Sequence, residues 1–416
     1  MNILYNTALV AYRAAAHLIA PFSPKAARFV AGRKGLVAQI ENTFKEETRP
    51  VIWLHCASLG EFEQGRPVLE ALREKHPDHA FLLTFFSPSG YEVRKDYAGA
   101  DYVFYLPHDT PENARRFVAA VKPVLALMVK YDLWLYYLQA LQVSGIPVVL
   151  FAARFTPKQG YFKWYGGVQR EMLRLLSHIF VQDEDSRKLL FQNGFSNVSV
   201  AGDTRFDRVA EAAEKAVEIP EIQRFSGGAP LLIAGSTWPQ DETLLAEVWK
   251  ELSPNWKLVI VPHEVDENHL QKIESLFERT ITRWTKGAHP ESPVLLVDTV
   301  GMLLQLYQSA AIAYVGGGFG KAGIHNVLEP AAMGAPVLHG PIFHQFLEAQ
   351  GLIDAGGAGV IHDTDSLKKA LNFWMEKETE RIAAGEKAAR FVQENTGATK
   401  TIVSFLEKEF LKQKKS

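Results

Sequence analysis

Short apolar runs alternate with longer helix-like segments from about residue 50 onward, and this alternation constrains the fold more than any other feature of the chain. It is typical of a parallel sheet wrapped by helices, because two parallel strands need a crossover connection that is usually helical. The first series of predicted strands covers residues 51–55, 80–84, 102–105, 125–129, 147–151, 178–181 and 198–201. The second series covers residues 230–234, 256–261, 294–297, 312–315 and 336–339. The sequence therefore predicts an α/β protein with two Rossmann-like, doubly wound domains.

A charged segment rich in Ala and Glu, residues 207–220, and the breaker at 226–230 separate the two series. No short internal repeat is visible, which argues against a solenoid. Two doubly wound domains that face a cleft bind ligands beyond the carboxyl ends of their strands, so the residues after each strand are the candidates for function. The predicted divisions are a membrane-associating helical region at 1–30, an N-terminal domain at 31–208, a linker at 209–229, a C-terminal domain at 230–390 and a C-terminal helix at 391–416, with a return to the N-terminal domain as one option for that helix.

The overall charge is nearly balanced, since 45 Lys and Arg face 47 Asp and Glu for a net charge of −2. A protein that binds nucleic-acid phosphates usually contains a basic domain, so no nucleic-acid partner is expected. Cys56 is the single cysteine of the sequence, which excludes an internal disulfide and a cysteine-based metal cluster and fits a reducing compartment.

Residues 1–40 contain no Asp or Glu, and the stretch from Ile3 to Phe22 is mostly apolar. Arg13 and His17 interrupt this stretch, so it lacks the roughly 20 consecutive apolar residues that span a bilayer and also fits a signal peptide poorly. An amphipathic helix on an anionic membrane surface accounts for both the apolar and the basic residues. The alternative is a helix that packs only against its own domain.

In the first half, a close-approach loop follows the first predicted strand. Ser58 and Gly60 are small enough to let a ligand approach the backbone, and Glu61 opens the next helix, where a carboxylate facing a cleft can act as a general base. The alternative for Glu61 is a first-turn residue that only stabilises the helix dipole. Glu63, two positions further on, is expected to be exposed.

Lys130, Asp132 and Arg205 also follow predicted strands of the first half. Lys130 and Asp132 are expected either to flank an acidic ligand or to support a base, whereas Asp132 alone is equally suited to cap a helix starting near residue 133. Arg205 is placed to neutralise a leaving phosphate, and an ion pair with Asp203 or Asp207 is the alternative.

In the second half, small and polar residues follow several strands. Ser236 and Thr237 are natural phosphate contacts, while the His263 side chain in Pro262-His263 is as well suited to a structural role. The run Gly316-Gly317-Gly318-Phe319 exposes backbone amides that can reach a phosphate, and we expect the helix after it to point its N-terminus at the same place. No Lys-Ser or Lys-Thr pair follows the run, so an ATP-hydrolysing loop is excluded. In Asn326-Val327-Leu328-Glu329, the glutamate is suited to accept hydrogen bonds from a ribose.

Taken together, these motifs resemble those of the Kdo transferases, which attach 3-deoxy-D-manno-oct-2-ulosonic acid (Kdo) to a lipid A precursor. Ser58-Leu59-Gly60-Glu61 resembles the S-x-G-E motif of that family. The other matching motifs, in the family's order, are Asp132-Leu133-Trp134, Gly202 to Asp207, Gly235-Ser236-Thr237, His325 to Pro330, Gly340-Pro341 and Phe346. The likeness covers nearly the whole chain, including the N-terminal helix.

The resemblance implies a glycosyltransferase B fold, with an acceptor-binding N-terminal domain and a C-terminal domain that binds the CMP-sugar. It implies an inverting enzyme that moves Kdo from CMP-Kdo to a lipid IVA-like acceptor, without a metal or other cofactor, peripherally on the cytoplasmic face of the bacterial inner membrane. Glu61 would be the general base, Asp132 and Arg205 would support the transition state, and Ser58, Gly60 and Lys130 would contact the substrate. The residues implied at CMP are Ser236, Thr237, Pro262, His263, Gly316, Gly317, Gly318, Phe319, Asn326, Val327, Leu328 and Glu329.

Some positions depart from the family's pattern. Lys130 and Asp132 stand where the family often has two glutamates, Pro262-His263 lacks the arginine of a P-R-H segment, and Gln345 replaces a common asparagine. Two other functions stay open: an enzyme of the same architecture that uses a UDP-sugar, as a transferase or an epimerase, and a catalytically silent binding protein at the membrane. The number of Kdo residues transferred, the acyl-chain preference and the oligomeric state do not follow from the sequence.

Overall fold

The computed structural model describes residues 2–252, 255–278 and 280–412. It divides into two compact units. The first unit runs to Asp207 and includes the C-terminal segment from Gly397, and the second unit extends from Arg208 to Thr396. Each unit contains one parallel sheet of seven strands among the described residues.

The strands are β1 Val51–Cys56, β2 Ala80–Phe85, β3 Tyr102–Tyr105, β4 Pro123–Val129, β5 Val148–Ala153, β6 His178–Val181, β7 Val198–Val200, β8 Leu231–Thr237, β9 Lys257–Pro262, β10 Ile281–Arg283, β11 Val294–Leu296, β12 Ala310–Val315, β13 Val337–His339 and β14 Ala358–Val360. Their order is β3-β2-β1-β4-β5-β6-β7 in the first sheet and β10-β11-β9-β8-β12-β13-β14 in the second. The predicted fold class is confirmed, since both sheets are parallel and covered by helices.

The α-helices are α1 Asn2–Ile19, α2 Pro24–Ala31, α3 Leu36–Phe44, α4 Leu59–Lys75, α5 Pro88–Arg94, α6 Pro111–Val121, α7 Leu135–Val143, α8 Gly167–Arg174, α9 Glu184–Gln192, α10 Thr204–Glu214, α11 Pro220–Ser226, α12 Pro239–Trp249, α13 Glu267–Leu276, α14 Leu303–Tyr307, α15 Leu328–Ala332, α16 Leu347–Asp354, α17 Thr364–Glu376, α18 Glu378–Glu394 and α19 Ala398–Glu409. Short 3₁₀ turns lie at Ala20–Phe22, Gly160–Phe162 and Trp284–Lys286.

The central strand of the first unit shows why the sheet needs helices on both faces. Every residue of β1 is buried, and successive side chains point to opposite faces. Trp53 belongs to the core on one face, together with residues of α3, α6 and α7. Ile52 and Leu54 belong to the core on the other face, which α4 and the C-terminal helix α19 cover. The last helix of the chain therefore completes the core of the first unit.

The two units differ from the sequence expectation in a few elements. β10 and β14, each of three residues, were not predicted, because neither is an apolar run: β10 is Ile-Thr-Arg and β14 has a glycine at its centre. The segment predicted as a linker at 209–229 contains the end of α10 and all of α11.

At the N-terminus, two side-chain hydrogen bonds connect α1 to the rest of the first unit. The Tyr5 hydroxyl donates to Asp109 Oδ2 at 2.6 Å, and the Tyr136 hydroxyl donates to Asn6 Oδ1 at 2.6 Å. Among the described residues, no helix is long and apolar enough to cross a membrane.

Candidate active site

Glu61 lies in the first turn of α4, just past the carboxyl end of β1. Its Oε2 accepts a hydrogen bond of 2.5 Å from the Ala57 backbone N–H. Burial raises the pKa of Glu61 above its ordinary value, and the nearby charge of Asp132 raises it further, while the Ala57 amide, His55 and Lys130 oppose the shift. A largely buried carboxylate whose pKa is moved toward neutrality is a good candidate for proton transfer.

Asp132 is held by a buried histidine. Its Oδ2 lies 2.6 Å from His55 Nε2, and the His55 side chain is completely buried. The alternative in which Asp132 caps a helix is wrong, because α7 begins at Leu135 and its N-cap residue is Trp134.

The network behind Asp132 continues through two polar groups of the sheet. Trp53 Nε1 donates to Thr84 Oγ1 at 2.8 Å, and this hydroxyl lies 2.8 Å from His55 Nδ1. The same Nδ1 also lies 3.2 Å from the Thr84 carbonyl oxygen, so both polar atoms of Thr84 contact the His55 ring. These contacts hold the His55 ring in place, and through it the direction of the Asp132 carboxylate.

Aromatic rings and a strained lysine surround these carboxylates. Trp134 Nε1 lies 3.3 Å from His55 Nε2, and its ring contacts the Phe86 ring at a centroid distance of 4.5 Å. Lys130 adopts φ +59°, a left-handed conformation that costs a non-glycine residue about 1–3 kcal/mol and often marks a functional site. Lys130 is close enough to Glu61 for its charge to lower the pKa of that carboxyl.

The loop residues predicted to contact substrate lie at the start of α4. Ser58 is the N-cap residue, and its side chain makes no capping hydrogen bond. Gly60 is exposed, and a Cβ added there would meet nothing within 4 Å, so packing of the protein does not require glycine at this position. That Ser58 and Gly60 contact the substrate stays a prediction.

Arg205 forms an ion pair with its neighbour Asp203. Its Nη2 and Nε lie 2.6 and 2.9 Å from Asp203 Oδ2, which is one of the two pairings offered as the alternative to a catalytic role. Its predicted role at the transition state stays a prediction. The expectation that Glu63 is exposed is wrong, because the Glu63 carboxylate is half-buried and pairs with Arg94 at 2.8 Å.

In the second unit, the glycine run is packed tightly against backbone. A Cβ on Gly316 would lie 2.3 Å from the Ser236 carbonyl oxygen, and one on Gly318 would lie 2.6 Å from Gly340. Gly317 has φ +92°, and its N–H donates to Asp241 Oδ2 at 2.9 Å. The glycines therefore have a packing role, and the Gly317 amide is engaged by a carboxylate.

The expected helix directly behind the glycine run is absent from this part of the described chain. α15 begins only at Leu328 and has five residues, too few for a strong N-terminal dipole. Val327 and Leu328 are 1% and 0% exposed, so any contact they make to a nucleotide would be through their backbone. Asn326 Oδ1 accepts from the Leu328 N–H at 3.1 Å.

The Glu329 carboxylate is half-buried, and Arg208 Nη2 lies 4.0 Å from its Oε1.

The two hydroxyl residues that end β8 differ in accessibility. Thr237 is fully buried and donates to Glu242 Oε1 at 3.0 Å, whereas Ser236 is partly accessible and has φ +53°.

A stack of three rings in the second unit was not predicted from the sequence. His263 stacks on Trp238 and on His325 at centroid distances of 4.7 and 4.4 Å, and Trp238 Nε1 donates to His325 Nε2 at 2.9 Å. Burial and the neighbouring His263 lower the pKa of His325 to about 4, so this ring is neutral at pH 7. Pro262 ends β9 just before the stack, and half-buried Phe319 packs on the core of the unit. The exposed His263 offers a flat aromatic face to a ligand.

Residues 29–208 match the family model described as 3-deoxy-D-manno-octulosonic-acid transferase (kdotransferase). A protein of Haemophilus influenzae named 3-deoxy-D-manno-octulosonic acid transferase is 26% identical over 377 residues, covering 85% of this chain and 86% of its own. A protein of Bordetella pertussis with the same name is 28% identical over 388 residues and 86% of both chains. This chain is therefore similar to Kdo transferases over most of its length.

Solved structures of two other proteins share the fold of this chain at lower sequence identity. The UDP-GlcNAc 2-epimerase of Neisseria meningitidis, bound to UDP-GlcNAc, has a TM-score of 0.61 at 18% identity and covers 86% of this chain and 100% of its own. MurG of Acinetobacter baumannii has a TM-score of 0.56 at 14% identity, with 87% and 100% coverage. The fold is therefore of the glycosyltransferase B type.

Within residues 2–252, 255–278 and 280–412, no three His, Cys, Asp or Glu side chains are grouped so that they could hold a metal ion. That the reaction needs no metal or other cofactor stays a prediction.

Proposed function

We propose that this protein is an inverting glycosyltransferase that moves Kdo from CMP-Kdo to a hydroxyl group of a lipid IVA-like lipid A precursor. The names of its homologues support a Kdo glycosyltransferase of lipopolysaccharide synthesis. The observation that carries the mechanism is Glu61, a largely buried carboxylate with a raised pKa at the end of the central strand β1.

Glu61 acts as the general base in this proposal. As the acceptor oxygen bonds to the anomeric carbon of Kdo, the bond from that carbon to the phosphate oxygen breaks and CMP leaves with the bonding electrons. The proton of the acceptor hydroxyl passes to Glu61. A single displacement of this kind inverts the anomeric configuration, and the sugar carbon carries oxocarbenium-like charge in the transition state.

Asp132 supports this step electrostatically. Its carboxylate is fixed by His55 and favours positive charge developing nearby, and it keeps the pKa of Glu61 raised. Lys130 lies on the same edge and offsets part of the negative charge of the two carboxylates. Arg205 is proposed to act on the leaving phosphate.

The second unit is proposed to hold the CMP part of the donor. The residues proposed to contact CMP are His263 with its ring stack, the glycine run with Phe319, Ser236 and Glu329. Since the Gly317 amide already binds Asp241, the phosphate is expected to use other groups.

The decisive experiment incubates the purified protein with CMP-Kdo, generated in situ, and a tetra-acylated lipid A precursor, and follows the acceptor by mass spectrometry. We expect a mass increase of one or more Kdo residues and release of CMP. UDP-GlcNAc, UDP-glucose and other UDP-sugars serve as parallel donors. Transfer or epimerisation only with a UDP-sugar would replace this proposal by the related enzyme of the same fold, and binding without turnover would indicate a silent binding protein.

We also propose that the protein acts peripherally at the cytoplasmic face of the inner membrane. Several large apolar side chains of the N-terminal segment face solvent, with exposures of 82% for Ile3, 80% for Leu4, 74% for Leu18 and 88% for Phe22. The absence of acidic residues before Glu41 makes this segment suited to anionic lipid.

A further inference from the structure

An apolar cavity of about 320 Å³ lies in the first unit between the N-terminal helices and the exit of β2. Tyr12, Ala16 and Ile19 of α1 form one wall, and Ala26 and Phe29 of α2 form another. Phe86, the residue after β2, also lines the cavity, and Ser23, Lys25 and Ser87 are polar residues of the lining.

A half-buried arginine connects two of these walls. Arg33 Nη1 donates to the Phe29 carbonyl at 3.1 Å, and Nη2 donates to the Phe86 carbonyl at 2.6 Å. Its guanidinium carbon also lies 3.9 Å from the centroid of the Phe29 ring. The cavity is therefore built into the unit, because its two aromatic walls are fixed by one charged side chain through directional bonds.

Phe86 connects the cavity to residues beside the proposed catalytic carboxylates. The Phe86 ring contacts the Trp134 ring, and Trp134 Nε1 lies 3.3 Å from Nε2 of the histidine that holds Asp132. An occupant of the cavity would thus belong to a molecule whose polar part lies close to the carboxylates.

We propose that this cavity binds one acyl chain of the lipid acceptor. The walls offer mainly carbon atoms, so the buried part of the ligand must be apolar, and a position between two helices and a strand end suits a narrow chain. Lys25, an exposed residue of the lining, adds a positive charge that complements an anionic headgroup. The exposed apolar residues Leu18 and Phe22 lie beside the cavity residue Ile19, on the segment from which a lipid would enter. This assignment rests on the proposed function, because it takes the acceptor to be a lipid.

Photo-crosslinking tests the occupant without requiring turnover. A tetra-acylated lipid A precursor with a diazirine in one acyl chain is irradiated with the full-length protein, and labelled peptides are mapped by mass spectrometry. We expect labels within residues 12–29 and at residues 86–88. A parallel arm uses vesicles of a diazirine-labelled phosphatidylglycerol. Labelling of the cavity by the phospholipid alone, or by neither lipid, would overturn the proposal.

The second test measures the transfer kinetics of variants in which a larger side chain fills the cavity. Ala16→Phe places a ring in the cavity, and Ala14→Phe places the same ring on the exposed side of α1. We expect Ala16→Phe to raise the KM for the acylated acceptor at least tenfold while leaving the KM for CMP-Kdo and the transfer to a fully deacylated acceptor unchanged. The Ala14→Phe control should match the wild type.

Ala26→Leu fills the cavity from α2. This second variant keeps the test valid if Ala16→Phe disturbs the local folding of α1. An equal change for acylated and deacylated acceptors in both filling variants would show that the cavity binds no chain. If the wild-type protein labels in the cavity but transfers no Kdo to any acceptor, the proposed function fails while the lipid site stands.

Discussion

At the scale of single residues, Glu61 and Asp132 divide the work that the two carboxylates are proposed to do. Replacing Glu61 by Gln preserves the shape and can keep the hydrogen bond from the Ala57 amide. We expect turnover to fall by about 10²–10⁴-fold, the usual contribution of general-base catalysis, with CMP affinity unchanged. Normal transfer by Glu61→Gln would move the base elsewhere, with Asp132 the next candidate.

The stability of the same variant separates the base from a helix-dipole residue. The folded-state pKa of Glu61 lies above its unfolded value, so the carboxyl contributes stability below the unfolded pKa, and that contribution is lost as the pH rises through the folded pKa. Glu61→Gln should therefore be at least as stable as the wild type at pH 8, as measured by urea denaturation. A residue serving only the helix dipole predicts a loss of roughly 0.3–1 kcal/mol with near-normal turnover.

Asp132→Asn should change the pH dependence of the reaction in a defined direction. The charge of Asp132 is the second cause of the raised pKa of Glu61, so its removal lets that pKa fall. The acidic limb of the pH profile of kcat/KM should shift to lower pH, together with a lower maximum rate. An acidic limb that stays in place would show that Glu61 and Asp132 are not coupled in the working enzyme.

At the scale of elements, the sequence predicts well what local patterns encode. The strongly apolar strands β1, β2 and β4 follow from their composition, and placing Glu61 and Asp132 at one sheet edge follows from parallel strand order. The His55 network does not, because it depends on the register that pairs His55 with Thr84 across β1 and β2. The contact from Gly317 to Asp241 likewise joins positions distant in sequence, which no local pattern reports.

The C-terminal helix offers a test of how an element is fastened to its unit. Asp207 accepts hydrogen bonds from the Gly397 N–H at 2.5 Å and the Thr399 N–H at 2.7 Å, and so caps α19 from outside the helix. Asp207→Ala should destabilise the first unit by about 1 kcal/mol, the typical value for a lost cap, as measured by urea denaturation. Glu211→Ala is the control on α10, because its carboxylate is exposed and pairs with Lys215, one residue past the end of that helix. A similar loss in both variants would contradict the capping role.

A further prediction at this scale is that the N-terminal segment, residues 3–22, binds the membrane. The double variant Leu18→Glu/Phe22→Glu should lose flotation with vesicles that contain anionic lipid, since it removes two exposed apolar side chains and adds two negative charges. Each nearby Lys or Arg contributes on the order of 1 kcal/mol at an anionic surface, so binding of the wild type should also weaken with salt. Phe373→Glu alters an exposed apolar side chain of the second unit and should float normally. Salt-insensitive flotation of the double variant would place the membrane contact elsewhere.

At the scale of the whole molecule, the division into two units predicts how a nucleotide acts on unfolding. A ligand that binds only the folded form stabilises it by about 2.7 kcal/mol at a hundred times its Kd, which corresponds to roughly 5–10 °C in the Tm of a unit of this size. CMP bound by the second unit should raise the calorimetric transition of that unit, and UDP at the same concentration should raise it less. Glu329→Ala should remove most of the CMP shift because it deletes the proposed ribose acceptor, whereas Glu251→Ala, an exposed carboxylate of the same unit, should keep the shift. An equal shift with UDP, or a full CMP shift in Glu329→Ala, would show that the nucleotide is not held by Glu329 in the way its position suggests.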